Sequence, residues 1–188
     1  MVGLVKPSRN IQIFDELDDA LEWTEDHILE EERVLQAAQE SPLELQEIDL
    51  LKGLDRDVLA TLGTCINEKS FEAGQKIFSQ GDTGDELFLI RRGAVRISLS
   101  LDGGKSRHLA TFGRGDFFGD MSFLDHGVRS ADAVAYAATD LYILSRVRFD
   151  AVANDCLQMG KKVFDRLARA LAIRLRQTDA ELRALEES

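Results

Sequence analysis

The stretch "KIFSQGDTGDELFLIRRGAVRISLSLDGGKSRHLATFGRGDFFGDM", residues 76–121, alternates short apolar runs with turn-forming residues. Turn signals recur along it, at Gly81-Asp82, Gly84-Asp85, Gly93, Asp102-Gly103-Gly104 and Gly113 to Gly115. Short strands separated by such signals about every 8 to 12 residues are typical of antiparallel sandwiches and barrels. The stretch therefore predicts a mainly β fold, an antiparallel β-roll that resembles a jelly roll.

Further elements are predicted on both sides of the roll. Before it, residues 41–66, "SPLELQEIDLLKGLDRDVLATLGTCI", indicate two short amphipathic helices divided near Gly53. After it, residues 132–145, "DAVAYAATDLYILS", indicate two more strands about a turn at Thr139-Asp140. Residues 145–156, "SRVRFDAVANDC", then indicate a short helix. The roll is thus expected to carry flanking helices.

A long helix is predicted from Lys161 onward. Its apolar stripe has steps of three and four residues, at Phe164, Leu167, Leu171, Leu175, Thr178, Leu182 and Leu185. Such a stripe can pack back on the roll or pair with a second copy of the chain. Because about six helical turns exceed one face of a small barrel, we expect a homodimer through this helix.

Charge is distributed unevenly along the 188 residues, whose net charge is −11. Residues 1–52 carry 4 basic and 14 acidic side chains, whereas residues 53–188 carry 19 and 20. A nucleic-acid surface needs clustered Lys and Arg, so neither nucleic acid nor an anionic membrane surface is an expected partner. The sequence shows neither a secretory leader nor an apolar run of about 18 residues, so we expect a cytoplasmic protein without membrane insertion.

Residues that bind metals or act as nucleophiles are scattered. Cys65 and Cys156 are far apart, as are His27, His108 and His126. We expect reduced, buried thiols and neither a metal nor a cofactor. An enzyme on a cupin-like barrel is disfavoured, because His108 and His126 do not form an HxH array and no nucleophile has an evident base.

The segment "FGDMSFLDHGVRSADAVA", residues 118–135, carries the clearest functional pattern. Gly119 allows a sharp turn, and "DMSFL", residues 120–124, can form one helical turn whose N–H groups face an anion. Arg129, followed by small residues, provides a planar fork for two phosphate oxygens. The segment predicts a cradle for one compact anion. The alternative is an ordinary surface ion pair of Arg129 with Asp120 or Asp125.

Residues 46 to about 185 resemble the cyclic nucleotide-binding domain family. Three stretches carry the resemblance, "FEAGQKIFSQGDTGDELFLIRRGAVRISL" (71–99), "FGRGDFFGDMSFL" (112–124) and "RSADAVA" (129–135). The resemblance implies a β-roll with a phosphate-binding cassette and C-terminal helices that move when ligand binds.

The resemblance also implies a ligand site. Its residues here are Gly119, Asp120, Met121, Ser122, Arg129, Ser130 and Ala131. By analogy with the family, the arginine and its small neighbours bind the cyclic phosphate, and the carboxylate holds the ribose 2′-hydroxyl. Backbone amides at Met121 and Ser122 approach the phosphate.

Three positions depart from the family pattern. Asp120 replaces a glutamate, so its carboxylate reaches one methylene less far, and weaker ligand binding is expected. Asp132 stands where Thr or Ser is common, and its charge is expected to oppose the phosphate unless its strand points it away. Val128 replaces a proline that often precedes the arginine.

Domain organisation follows from the same patterns. We expect an acidic strand-helix extension over residues 1–45, with a strand at 10–14 and a helix from Asp15. A nucleotide-binding domain follows over 46–188, with a helical lead-in at 46–67, the β-roll at 70–145 and helices at 146–186. The stretch "NIQIFDELDDALEWTEDHILEEE" resembles the end of a STAS domain of sulfate-type transporters, and an acidic amphipathic helix packed on the roll is the alternative.

The functional hypothesis is a non-enzymatic cytoplasmic sensor of a cyclic nucleotide, with cyclic AMP as the first candidate ligand and cyclic GMP as the second. It is expected to lack its own DNA-binding or catalytic output and to act on an unidentified protein effector. The alternative is a degenerate domain that dimerises as a scaffold without a physiological ligand.

Overall fold

A computed structural model describes residues 40–101 and 105–187. The predicted N-terminal strand and helix and the STAS-like stretch lie outside the described residues. The predicted turn at Asp102-Gly103-Gly104 lies outside them as well.

The strands of the roll lie between helices at both ends of the described chain, and one short helix interrupts them. A 3-10 turn at Leu45–Glu47 comes first. The elements that follow are α1 (Arg56–Gly63), β1 (Ile66–Phe71), β2 (Lys76–Phe78), β3 (Glu86–Arg92), β4 (Val95–Leu101), β5 (Lys105–Phe112), β6 (Phe117–Phe118), α2 (Asp120–Asp125), β7 (Asp132–Ala135), β8 (Thr139–Ser145), α3 (Arg146–Asp155) and α4 (Leu157–Glu187).

The described strands form two four-stranded antiparallel sheets. One has the order β1-β8-β3-β6 and the other β2-β7-β4-β5. Strands β3 and β4 are consecutive in the chain yet belong to different sheets, so the chain crosses between sheets at Gly93. The predicted antiparallel β-roll is confirmed.

Strand β3 separates two hydrophobic cores, because its successive side chains point to opposite faces. Phe88 and Ile90 face the space between the sheets, where they pack with Phe118 and Leu141. Leu87 and Leu89 belong to the second core, on the other face of the strand. That core includes residues of α1, α2, α3 and α4, among them Leu62, Phe123, Phe149, Met159 and Val163. Residues 87–90 of β3 are therefore all buried.

Three local predictions need correction. The turn predicted at Thr139-Asp140 lies at residues 136–138, and Thr139 begins β8. Thr139 is buried, and its hydroxyl lies within hydrogen-bond distance of the carbonyls of Ala94 and Ala137, at 2.9 and 2.8 Å, which ties it to the sheet. The first of the two predicted lead-in helices is a single 3-10 turn. The long helix begins at Leu157, before the predicted Lys161.

The predicted stripe on α4 divides into two parts. Phe164 and Leu167 pack into the helical core. Farther along, the side chain of Leu175 is 63% exposed. The side chains of Leu182 and Leu185 lie outside the described residues. The first half of the stripe is used for packing on the roll, and Leu175 stays available for another contact.

We expect Gly93→Ala to destabilise the fold far more than Gly74→Ala. Both glycines have positive φ, +84° and +81°, which costs about 1 kcal/mol or more for alanine. A Cβ at Gly93 would also lie 2.3 Å from the Ala138 carbonyl oxygen, whereas a Cβ at Gly74 meets open space. Denaturant unfolding should therefore show about 3 kcal/mol or more lost for Gly93→Ala. Equal losses for the two variants would contradict this account of the crossing between sheets.

Candidate functional site

A cavity of about 340 Å³ lies between the cassette helix α2, strands of the roll and helix α4. Its lining includes all seven residues that the sequence predicts for a ligand site. They are Gly119, Asp120, Met121, Ser122, Arg129, Ser130 and Ala131. These residues are close in space because they are close in sequence: they fall in two short segments, 119–122 and 129–131, that are only a few residues apart.

The rest of the cavity wall comes from distant parts of the chain. It is largely apolar and is formed by Phe78, Ile97, Leu109, Ala110, Phe112 and Phe118, with Thr178 from α4. The sequence analysis did not identify these residues. Their signal in the sequence is only the alternation of apolar residues along strands, which does not say which sheet face borders a cavity.

The cassette helix begins at a glycine for a steric reason. Gly119 is the N-cap of α2 and has φ +77°. A Cβ there would lie 2.9 Å from Arg129 Nη1 and 2.9 Å from the Glu86 carbonyl oxygen. Only a residue without a side chain allows this close approach. The predicted helical turn at 120–124 is confirmed as α2, which ends at Asp125 and has His126, with φ +58°, as its C-cap.

Arg129 is 3% exposed and is surrounded by hydrogen-bond acceptors. Its Nη1 donates to the Glu86 carbonyl (2.8 Å), the Gly119 carbonyl (3.2 Å) and Ser122 Oγ (2.6 Å). Its Nη2 donates to Glu86 Oε2 at 2.7 Å. The guanidinium carbon also lies 4.5 Å from the centroid of the Phe78 ring. The pair with Asp120 or Asp125 that a surface arginine would make is therefore not the pair observed.

Glu86 is the counter-ion of Arg129, and the sequence analysis missed it. Its side chain is 40% exposed, so its carboxylate reaches water while the guanidinium does not. Burial lowers the pKa of Arg129, and the charge of Glu86 opposes that effect. A second anion that approaches Arg129 from the cavity would meet a fixed, oriented cation.

Asp120 lies at the other end of the predicted segment, with its side chain 12% exposed. Burial raises the pKa of its carboxyl, and the nearby positive charge of Arg174 on α4 lowers it. The Arg174 Nη1 atom is 3.5 Å from Asp120 Oδ2. Backbone N–H groups of Asp120 and Met121 lower the pKa further. Asp120 thus combines partial burial with a cation from a distant helix.

The other predicted residues line the cavity in different ways. Ser122 is buried and binds Arg129 through its hydroxyl rather than only through its backbone. Met121 is 55% exposed, and its sulfur accepts a hydrogen bond from Ser130 Oγ at 3.4 Å. Ala131 is buried, which leaves its backbone close to the cavity.

Asp132 does not oppose an anion in the cavity. Its carboxylate accepts hydrogen bonds from the Gln80 N–H at 2.8 Å and from Ser100 Oγ at 2.7 Å. Lys76 lies 3.5 Å from it. The hydrogen bond from Ser100 is the largest cause that lowers the pKa of Asp132. Its strand points the charge away from the cavity, which removes the expected repulsion.

The chemistry of the cavity suits a small organic anion with a flat apolar part. A buried cation marks one end, a carboxylate the other, and phenylalanine rings and aliphatic side chains form the wall. Within residues 40–101 and 105–187 no group of three or more His, Cys, Asp or Glu could hold a metal ion. No helix in that part of the chain is long and apolar enough to cross a membrane.

Comparison with known proteins supports the interpretation of the cavity as a site for a small organic anion. Residues 68–156 match the family model of the cyclic nucleotide-binding domain. The match covers the roll from residue 68 onward, the cassette and helix α3, so it contains every residue of the predicted site.

Two relatives and one solved structure place the chain among longer proteins. The cyclic AMP receptor protein of Thermus thermophilus is 38% identical over 133 residues, which are 71% of this chain and 60% of that protein. Glutaminase 1 of Bradyrhizobium diazoefficiens is 34% identical over 174 residues, 93% of this chain and 27% of the enzyme. The crystal structure of the Thermus thermophilus catabolite activator protein superposes with a TM-score of 0.63 at 38% identity, over 73% of this chain and 62% of that one. The chain spans less than two thirds of each.

We expect Arg129→Met to cost much more stability than Arg96→Met. Both arginines lie over an aromatic ring, Phe78 for Arg129 and Tyr136 for Arg96, but Arg96 is exposed. Removing Arg129 takes a buried donor from Ser122 Oγ and from the Glu86 carbonyl, whereas the Gly119 carbonyl keeps the Phe123 N–H. This should cost about 3 kcal/mol, against about 1 kcal/mol or less for Arg96. Denaturant unfolding of both variants measures the difference. Similar losses would show that the acceptors around Arg129 are satisfied in another way.

Proposed function

The chain carries a domain of the cyclic nucleotide-binding family, and on this premise we propose that it is a sensor that binds cyclic AMP in preference to cyclic GMP. The ligand would lie in the cavity between Arg129 and Asp120. The observation that carries the proposal is the placement of a buried guanidinium and a carboxylate on the wall of one cavity of suitable size.

The phosphate end of the site would be Arg129. A cyclic phosphate carries one negative charge, and the guanidinium presents a planar fork whose position is already set by Glu86, Gly119 and Ser122. The exposed Glu86 carboxylate can lose its contact with Arg129 at low cost, because water can take over its hydration. Ser130 and Ala131 border the same end of the cavity. These features support a replacement of the Glu86 carboxylate by the cyclic phosphate as the counter-ion of Arg129.

The ribose end would be Asp120, whose ionised carboxylate would accept a strong, charge-assisted hydrogen bond from the 2′-hydroxyl. Its shorter side chain, compared with the glutamate that the family pattern has here, predicts a longer or water-bridged contact. The proposal therefore includes an affinity below that expected for the same site with a glutamate.

The base end offers a reason for the preference between nucleotides. Thr178 is the polar residue that α4 contributes to the lining, and its hydroxyl donates to the Arg174 carbonyl at 3.1 Å. Because its proton is used within the helix, the oxygen is left to accept. Adenine offers an amino group as a donor at the position where guanine has a carbonyl acceptor. Thr178 thus favours adenine.

The output would be a change in the position of α4. Ligand binding changes an equilibrium only through a difference in affinity between two states. Helix α4 contributes both Thr178 and Arg174 to the site, so an occupied cavity stabilises one position of the helix. Relatives named as a receptor protein and as a glutaminase contain the matched segment within longer chains, which supports a module that serves different effectors.

The regulatory domain family is not itself catalytic, and we propose that this chain acts through an unidentified protein effector. The cytoplasm is its proposed location. Cys65 is buried, Cys156 is partly buried, and both are free thiols, as is usual in a reducing compartment.

A dimerising scaffold without ligand is the second candidate. Two observations favour it, the short side chain of Asp120 and the pairing of Arg129 with Glu86 inside the protein. In such a domain the arginine would serve packing alone, and the cavity would stay without a nucleotide.

We expect calorimetric titration to detect cyclic AMP binding that Arg129→Ala abolishes and Asp120→Glu tightens several-fold. Ligand at 100 times Kd should also raise the free energy of unfolding by about 2.7 kcal/mol. Thr178→Val should reduce the preference for cyclic AMP over cyclic GMP, because it removes the acceptor.

Asp132→Asn is the matched control. The Asp132 carboxylate accepts hydrogen bonds from Gln80 and Ser100 and does not line the cavity, so its loss should leave the affinity unchanged. Neither heat nor a thermal shift with either nucleotide at millimolar concentration would contradict the sensor and favour the scaffold.

We propose that the chain forms a homodimer through α4, and we expect Leu175→Glu to dissociate it. Leu175 is 63% exposed and continues the heptad-like stripe beyond the part that packs on the roll. Two glutamates would face each other across a paired helix. Leu101→Glu, at an exposed leucine on β4, is the control. Sedimentation equilibrium at micromolar concentration should give a dimer for the unsubstituted chain and the control. A monomer for the unsubstituted chain contradicts the proposal.

A further inference from the structure

Met121 is a methionine at the mouth of the cavity. Met121 and Leu109 are 55% and 52% exposed, and both line the cavity, so they mark the place where it opens to water. Met159, the other methionine that the structure describes, is 0% exposed and packs in the helical core. Of these two thioethers, only that of Met121 is accessible to a solute from the surrounding water.

The sulfur of Met121 contacts the anion end of the cavity. Ser130 Oγ lies 3.4 Å from Met121 Sδ and donates to it. Ser130 is exposed, lines the cavity and directly follows the buried Arg129. A thioether is a weak acceptor, so the hydroxyl is easily released to a stronger one such as a phosphate oxygen. The chemical state of this sulfur therefore decides how available the Ser130 hydroxyl is.

Oxidation replaces this weak acceptor by a strong one. A peroxide transfers one oxygen atom to the thioether: the O–O bond breaks, an S–O bond forms, sulfur loses two electrons, and hydrogen peroxide leaves as water. The sulfoxide is polar, and its oxygen accepts hydrogen bonds far better than the thioether sulfur does. Because the methionine side chain is flexible, this oxygen can reach Ser130 Oγ and place partial negative charge at the anion end.

The two cysteines are the competing targets of a peroxide. Cys65 is 0% exposed, and Cys156 is partly buried at the end of α3. Both belong to the packing of the helical core, and neither lines the cavity. A loss of binding through a thiol would therefore follow from a change in that core, whereas a change at Met121 acts inside the cavity.

We propose that Met121 is a reversible oxidation site for peroxides, and that its sulfoxide weakens anion binding in the cavity by retaining the Ser130 hydroxyl. The inference rests on the proposed function, to which it adds a redox control of ligand affinity. Two effects act in the same direction: the cyclic phosphate loses a donor, and the sulfoxide oxygen repels its negative charge. Methionine sulfoxide reductases would restore binding, because they return the sulfoxide to the thioether.

Peptide mapping by mass spectrometry after treatment with hydrogen peroxide tests the site without any nucleotide. We expect Met121 to gain one oxygen at least about tenfold faster than Met159, which is the matched buried control. Saturating cyclic AMP should slow the oxidation of Met121, because the ligand covers the mouth of the cavity. Equal rates for the two methionines, or a rate at Met121 that the ligand does not change, would overturn the proposal.

Calorimetric titration with cyclic AMP before and after peroxide measures the effect on affinity. We expect about tenfold weaker binding after oxidation, and recovery after treatment with methionine sulfoxide reductases. In Met121→Leu the affinities before and after peroxide should be equal, because leucine has no sulfur, whereas Cys156→Ser should keep the full effect. A loss of affinity that persists in Met121→Leu would assign the effect to another residue and overturn the proposal.

Ser130→Ala tests whether the sulfoxide acts through the Ser130 hydroxyl. This variant lacks the donor whether or not Met121 is oxidised, so peroxide should change its affinity by less than about threefold. Met121→Gln carries an amide oxygen in place of the sulfoxide oxygen and should bind cyclic AMP more weakly than Met121→Leu without any oxidant. The full loss in Ser130→Ala, or equal affinities of the two Met121 variants, would contradict retention of the hydroxyl.

These outcomes distinguish the inference from the function on which it rests. No binding of either nucleotide by the unsubstituted chain before oxidation overturns the proposed function and, with it, the control of affinity by Met121. Binding that is equal before and after complete oxidation of Met121 overturns the inference and leaves the proposed function standing.

Discussion

A guanidinium that is 3% exposed cannot rely on water for its hydrogen bonds, and the site of this protein is organised around that constraint at Arg129. Its acceptors come from β3 and from the start of the cassette helix, so the arginine, the strand and the helix must fold together. Gly119 is required at the same point because a Cβ would collide with the guanidinium. Because Glu86 is 40% exposed, its ion pair with Arg129 adds little net stability, and the hydrogen bonds to Ser122 and to the Glu86 and Gly119 carbonyls fix the orientation of the buried guanidinium.

Strand β3 connects this site to the rest of the molecule. One face of the strand packs between the sheets and the other packs against the helices, so both cores share a wall. Beyond that wall, ring contacts run from Phe123 of the cassette helix to Phe149 of α3 at 5.6 Å and on to Phe164 of α4 at 5.3 Å. Arg146 also donates to the Phe123 carbonyl at the end of the cassette helix. A displaced cassette helix must therefore repack against α3 and α4.

The cavity combines charged groups at its two ends with an apolar wall. Arg129 lines the cavity and is paired with Glu86, and Asp120 lines it at the other end and is paired with Arg174 of α4. Between them the wall is apolar. An anion with a polar sugar and a flat base, the ligand class that we propose for the cavity, would match both ends and the apolar wall.

The amino-acid sequence by itself determined the class of fold, the cassette helix and the seven residues around it. Each depends on local information: turn residues at regular spacing, a glycine before a short helix, and small residues after an arginine. The turn at residues 136–138 escaped prediction, because Thr139 has a turn-like neighbourhood but is held in β8 by hydrogen bonds to Ala94.

Only the tertiary structure decided which groups complete the site. Glu86 is 43 residues from Arg129 and Arg174 is 54 residues from Asp120, and no local pattern relates such positions. The direction of Asp132 depended on Gln80 and Ser100, which its strand neighbours bring to it. The pairing of strands and the docking of α4 bring these partners together. Strand pairing and helix docking depend on the whole chain at once. Local sequence therefore identified Arg129 and Asp120 at the two ends of the site, and the fold brought to them their charged partners, Glu86 and Arg174.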